Sequence, residues 1–167
     1  MTTPTELAGT ADEIIGRNRQ LDHRLRDLVA QAPADRLRAD PGGGEWSLAE
    51  NLGHIAEFPR FFGRELALVL DQPDVDVEVG RTHEHPERNE AVAAAAGKGH
   101  EQLAREVDAA LAELGGVLDR LTDHDLQRVV SNRKYGPESL ATYLQRYVLD
   151  HKAAHIDQLG RTFAALG

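Results

Sequence analysis

Two histidines late in the chain, His151 and His155, stand four residues apart. On a helix this spacing places both imidazoles on one face, about 6 Å apart along the axis. Both can then reach one ion at the ~2.0–2.1 Å typical of zinc–nitrogen bonds, each turning its second ring nitrogen to an orienting carboxylate or carbonyl. Asp150 and Asp157 are the nearest acids in sequence, at angles that leave their part open. Such pairs are common on helix surfaces, but this one continues an apolar stripe formed by Leu140, Leu144, Val148, Leu159 and Phe163. Two buried imidazoles without partners would leave polar groups unmet, at a cost in free energy. A third histidine, His54, flanks another apolar stripe. Beside it, Gly53 is costly in a helix interior, which points to a close approach by ligand or backbone. Alone, His54 reads as a hydrogen-bonded core residue. The chain has no cysteine, so any metal must rest on His, Asp or Glu.

Other side chains have two readings each. Glu57, three residues after His54, suits an orienting carboxylate or general base, but reads first as a solvated or ion-paired residue. Tyr147, one turn before His151, suits a pocket-lining hydroxyl or plain packing. Phe58, Phe61 and Phe62 are expected to wall the core beside the histidines. Arg60, Arg64 and Arg146 are candidates to meet an anion, though exposed helical arginines are common. His83-Glu84-His85 is a generic loop pattern outside the main site. His23, His100 and His124 read as surface or packing residues.

Four helical segments must position these residues. In the first, Leu7, Ala11, Ile14, Asn18, Leu21, Leu25 and Leu28 recur at steps of four and three, with Asn18 the lone polar member, and Ala32-Pro33 ends it. After a glycine-rich break, Ser47-Leu48-Ala49-Glu50 forms a capping box that opens the second helix, carried by Leu48, Leu52, Ile55, Phe62, Leu66 and Val69. Pro59 removes a backbone donor inside it and is expected to kink it. Residues 71–86 read as a long crossover in which one short strand is conceivable, with no partner strand visible. The third helix is expected from Pro86 to about Leu121, with Gly97, Gly99, Gly115 and Gly116 as weak points. A second loop covers Thr122 to Gly136, and Pro137 is placed as the first residue of the fourth helix. The expectation is an all-α, single-domain four-helix bundle over 1–167.

Composition narrows the partners. The net charge is −9, and no dense basic cluster interrupts it, which argues against binding nucleic acid. No apolar run approaches the ~20 residues of a membrane span, and the first residues lack the basic-then-apolar order of a signal peptide. A cytoplasmic protein acting on a small molecule is expected. No Ser-His-Asp pattern and no glycine-rich phosphate loop is visible.

The run Glu45-Trp46-Ser47-Leu48-Ala49-Glu50-Asn51-Leu52-Gly53-His54-Ile55 resembles the W-S-x-x-E-x-x-x-H-[LI] signature of the DinB/YfiT-like metal-binding superfamily. His151-Lys152-Ala153-Ala154-His155-Ile156-Asp157-Gln158 resembles its closing H-x-x-x-H-[IL]-x-Q motif. The resemblance spans nearly the whole chain and implies up-down-down-up connectivity, with the long crossover between helices two and three. It implies one divalent ion on His54, His151 and His155. Zinc, nickel and iron each suit three imidazoles, and three protein ligands leave a position open. Characterised members include S-transferases and isomerases that use bacillithiol, mycothiol or glutathione, and some hydrolases. The resemblance therefore implies a metal-dependent thiol transferase or a related enzyme acting on small electrophiles, and a homodimer. The alternative is a non-catalytic, stress-linked metal-binding protein. The Arg-over-Lys bias suits a GC-rich actinobacterial genome, where mycothiol would be the thiol. The mycothiol-dependent isomerases often carry Glu where this chain has His151, a departure from that subgroup.

Overall fold

The computed structural model describes residues 9–167, so the expected start of the first stripe at Leu7 and the N-terminal segment weighed as a leader lie outside the described residues. Helix α1 spans Ala11–Gln31, capped by the Thr10 hydroxyl, which accepts from the Glu13 amide at 3.1 Å. Its buried line is Ala11, Ile14, Asn18, Asp22, Leu25 and Val29. Leu21 and Leu28 lie at its flank, partly buried, and the expected stripe is corrected by that rotation. The cause is Asp22, a carboxylate that sequence periodicity assigns to solvent and the fold assigns to the interior.

Helix α2 spans Leu48–Asp71 and opens on the expected capping box: Glu50 N donates to Ser47 Oγ at 3.2 Å, and Ser47 N donates to Glu50 Oε1 at 3.1 Å. Helical structure continues through Pro59 without a break. Leu48, Leu52, Ile55, Phe58, Leu66 and Val69 are fully buried. At Gly53 an added Cβ would lie 2.6 Å from Ala95 Cβ and 2.9 Å from the Ala91 carbonyl oxygen. The close approach signalled by this glycine is thus made by backbone from the crossover.

That crossover is more structured than a loop. A short strand β1 (Glu78–Val79) is followed by α3 (Pro86–Ala94), whose N-terminus is capped by His85. The expected third helix is broken: a 3₁₀ turn over Ala95–Gly97 and an extended Lys98 separate α3 from α4 (His100–Leu118). Gly97 and Gly99 mark the break, whereas Gly115 and Gly116 stay helical. After the short α5 (Asp123–Leu126), the expected second loop holds strands β2 (Val129–Asn132) and β3 (Gly136–Ser139). β1 pairs parallel with β2, with Val79 opposite Asn132, and β2 pairs antiparallel with β3. The strand conceived within 71–86 therefore does have a partner, brought from 50 positions away (Val79 to Val129) and invisible to local pattern. Pro137 belongs to β3, an edge strand that tolerates its missing N–H, and does not begin the last helix. The Ser139 hydroxyl caps that helix instead, accepting from Thr142 N at 3.1 Å.

The last bundle helix is a composite of α6 (Leu140–Leu144), a π-helical stretch (Gln145–Asp150) and α7 (His151–Leu166). Gln145 Nε2 donates to Asp150 Oδ1 at 2.7 Å, a five-residue bridge suited to the wider turn. With α1, α2 and α4 it forms the four-helix bundle, up-down-down-up, the small sheet closing one side. Among the described residues, no helix is long and apolar enough to cross a membrane.

Between α1 and α7 the core contains an ion pair. Lys152, fully buried, donates to Asn18 Oδ1 and, at 2.5 Å, to Asp22 Oδ1, while Asn18 Nδ2 donates to Asp22 Oδ2 at 3.3 Å. Burial pushes the Asp22 pKa up and the Lys152 pKa down, and mutual attraction opposes both shifts. Removing one partner strands the other charge in the interior. Lys152→Ala is expected to cost about 3–5 kcal/mol by urea denaturation, whereas Asp22→Leu combined with Lys152→Met should cost much less. Equal losses in both variants would show that the side-chain volume, not the charge pair, matters there.

Candidate metal centre

His54 comes from α2, and His151 and His155 come from the first two turns of α7, immediately after the π-helical stretch. One ligand atom from each lies within 4.8 Å of the others. The Nε2 atoms of His54 and His155 are each 3.2 Å from His151 Nε2. Two ligands of a tetrahedral ion at ~2.0–2.1 Å sit about 3.3 Å apart, so this spacing fits one shared cation. The rings are packed in apolar company: Phe58 lies 4.5 Å from His151 and 5.5 Å from His155, centroid to centroid. Trp46 stands edge-on to His54 at 5.5 Å.

The outward nitrogens are only partly provided for. Nδ1 of His54 and Nδ1 of His155 are buried without a hydrogen-bond partner. Glu57 Oε2 stands 3.7 Å from His54 Nδ1, beyond hydrogen-bonding reach but in position to orient the ring. Three neutral rings carry three N–H groups and three lone pairs. A cation at the centre takes all three Nε2 lone pairs and sends every N–H outward, which no hydrogen-bond pattern among the rings alone achieves. Asp150, weighed as an orienting carboxylate, is instead taken by Gln145, and Gln158 is the polar side chain beside His155.

Electrostatics favour neutral rings. Burial, followed by the neighbouring imidazole and arginine charges, lowers His151 to about 2 and His155 to about 3, and burial lowers His54 as well. Burial raises Glu57, but the Arg81 hydrogen bonds and charge, with His54, outweigh it and hold the carboxyl at about 2. Arg81 grips Glu57 through two bonds of 2.5 and 2.6 Å, and its side chain is 5% exposed. Glu57 is therefore the ion-paired residue of its second reading while still facing His54.

Arg81 is a functional residue that sequence reading missed, since it lies in the crossover with no periodicity around it. Gly80 places it. With φ of +87°, Gly80 adopts a backbone that side chains disfavour, and an added Cβ would lie 2.7 Å from Asn132 Oδ1 and 2.9 Å from the Tyr147 hydroxyl. Glu65 accepts from Gly80 N at 2.9 Å and from the Tyr143 hydroxyl at 2.9 Å, tying the crossover to α2 and the composite helix.

A cavity of about 190 Å³ opens onto His54 and His151, with Phe62, Arg81, Arg88, Lys134, Tyr135, Arg146 and Tyr147 around it. Tyr147 thus lines the pocket, and its hydroxyl also bonds Asn132. Of the other arginines considered, Arg146 reaches this cavity, whereas Arg60 and Arg64 pair with Glu113 and Glu87 elsewhere. His83 also lines it; His85 and Lys134 border a larger hollow of about 520 Å³ that touches none of the three histidines. His100 bonds the Val29 carbonyl at 2.8 Å, and His23 stands 3.6 Å from Asp27, both structural.

A helical bundle with three clustered inward histidines, two of them lining an open cavity, defines a class of protein. The sequence profile of the DinB superfamily matches residues 17–159, and the chain belongs to that superfamily. No curated protein shows significant sequence similarity to it. Its fold is similar to YfiT from Bacillus subtilis, described as a probable metal-dependent hydrolase with an unusual four-helix bundle topology, at 18% identity over 92% of this chain and 87% of that one, TM-score 0.69. It is also similar to a mycothiol-dependent maleylpyruvate isomerase, at 16% identity over 96% of this chain but 64% of that one, TM-score 0.72. The colibactin self-resistance protein ClbS, solved with double-stranded DNA, shares the fold at 12% identity over 95% of this chain and 96% of that one, TM-score 0.64.

The lowered histidine pKa values bear on stability. Above the unfolded value of about 6.5 neither state is protonated and the shifts contribute nothing. Below it the unfolded chain takes up protons that the folded site refuses, so stability falls as pH drops from 6.5 towards the folded values. For chelator-treated protein we expect a loss of up to about 2 kcal/mol per histidine between pH 7.5 and 5, read from urea midpoints. His151→Phe should flatten the slope; an unchanged slope would mean these rings are not held neutral.

Proposed function

We propose that the chain is a metal-dependent enzyme that holds one divalent ion on His54, His151 and His155 and activates a low-molecular-weight thiol, or water, for attack on a small electrophile. One observation carries the reading: three histidine ring nitrogens converge, and two of those rings, His54 and His151, line a cavity that reaches solvent. A purely structural ion calls for a closed, fully ligated site, so the cavity favours catalysis over storage or folding. The structural relatives described as metal-dependent and mycothiol-dependent support the two nucleophiles named. Zinc, nickel and iron all suit the donor set.

A divalent ion bound there would supply the positive charge that lowers the pKa of a thiol or water and makes it nucleophilic at neutral pH. The protein's part is then clear from its own residues. Neutral imidazoles present lone pairs without first losing protons. Glu57 steadies His54 and, locked to Arg81 with a pKa of about 2, is a weak general base. Burial raises the Tyr147 pKa, so its hydroxyl remains a hydrogen-bond donor at neutral pH beside the cavity. Phe58 and Phe62 exclude water behind the rings.

Metal content by mass spectrometry on tag-free protein tests the reading. Wild type should carry close to one ion per chain, and His54→Ala and His155→Ala should lose it. A wild type that takes up no metal after reconstitution, or variants that keep it, would remove the site and the proposed chemistry with it.

A further inference from the structure

The cavity above the histidines is ringed by cations in a chain whose net charge is −9. Four line it: Arg81, Arg88, Lys134 and Arg146, with no Asp or Glu among the lining residues. Two of the four are neutralised from behind. Arg81 is paired with Glu57, and Arg146 with Glu138 at 2.6 Å, while Arg146 also stacks 3.7 Å over Tyr135. The other two are not ion-paired among the described residues. Arg88 spends Nη1 on the His83 carbonyl at 3.0 Å and Asn89 Oδ1 at 3.2 Å, leaving Nε and Nη2 without a partner among the described residues. Its guanidinium lies over the Trp46 ring, 4.8 Å from the centroid. The Lys134 ammonium makes no hydrogen bond to the described residues and stands 5.2 Å from the Tyr135 centroid.

From these two uncompensated cations we infer that the cavity takes a small molecule bearing an anionic oxygen group, a carboxylate or phosphate, held between Arg88 and Lys134 with its reacting atom towards His54 and His151. The inference rests on the function proposed above for the reacting atom, but not for the anion. A guanidinium offers paired N–H groups that match either anion, and an ammonium adds a point charge. The distant surface acids are screened beyond about 8–10 Å at physiological salt, so local charge decides recognition. The Arg88 pKa is lowered, first by partial burial and then by the Arg81 charge, as expected where positive charge is in excess.

Trp46, the one tryptophan, is a built-in reporter beneath Arg88. On zinc-loaded protein, Trp46 emission should show 3-mercaptopropionate binding about tenfold more tightly than 2-mercaptoethanol at physiological ionic strength. In Arg88→Gln/Lys134→Gln the two thiols should bind within about twofold of each other with zinc content unchanged, and Arg88→Lys should restore part of the preference. Equal affinities in the wild type, or a preference that survives the double variant, would overturn the inference. Should the protein take up no zinc, nickel or iron, the proposed function fails, and succinate and inorganic phosphate on metal-free protein still decide the anion site. A saturable Trp46 response lost in the double variant supports it, the tighter of the two naming the group, and no response in the wild type overturns it.

Discussion

Three imidazoles packed into one apolar end of a bundle impose a condition on everything around them. Each ring has two nitrogens, each nitrogen must be a donor or an acceptor, and burial makes any unmet one costly. The rings cannot protonate to escape, because burial and their mutual repulsion hold them neutral. The remaining solutions are a shared cation inside and polar partners outside. The interior here is arranged for both: Nε2 atoms inward, Glu57 and Gln158 beside the outward edges.

Holding that geometry requires two helices to keep a fixed rotation about their own axes. A turn of the wrong sense in α7 would carry His155 out of the cluster. Two features set its rotation. The π-helical stretch ending at Asp150 delivers His151 onto the inner face, and Lys152, the next residue, is clamped to Asn18 and Asp22 on α1. A buried ion pair is a poor source of net stability against an apolar replacement. Its value lies in direction: an ammonium one position from His151 has one place to go, whereas a leucine would tolerate several. On α2 the equivalent device is Gly53, which lets α3 and the turn after it close against the helix beside His54.

Much of this could be read from residue order. The capping box at Ser47, the helices α1, α2 and α4, the three histidines and the significance of Gly53 all follow from local spacing, because caps and helical faces are set within a few residues. What escaped was set by distance. The partner of β1 lies past three helices, so no window contains both strands. Asp22 is buried only because Lys152, 130 positions away, answers it. Pro137 carries the local signature of a helix start, and the β2–β3 pairing overrides it. The break at Lys98 was visible as glycines, but a periodic pattern running through them to Leu121 masked it. Arg81 had no local signal at all; its role comes from a glycine turn and a carboxylate 24 residues earlier.

The crossover therefore has a larger share in the site than a connection between helices would need. It contributes Arg81 to fix Glu57, and through Glu57 it acts on His54; it contributes Arg88 and His83 to the cavity wall, and it sets α3 against Gly53. The bundle proper supplies the three histidines, the apolar walls and, from its last helix, Arg146 and Tyr147. Charge selection is left to the crossover and the β2–β3 hairpin, where Arg88, Lys134 and Tyr135 stand. These segments pack less of the core than the helices do, so they can change with little loss of stability. The relatives compared above are each 18% or less identical to this chain, yet they share its fold.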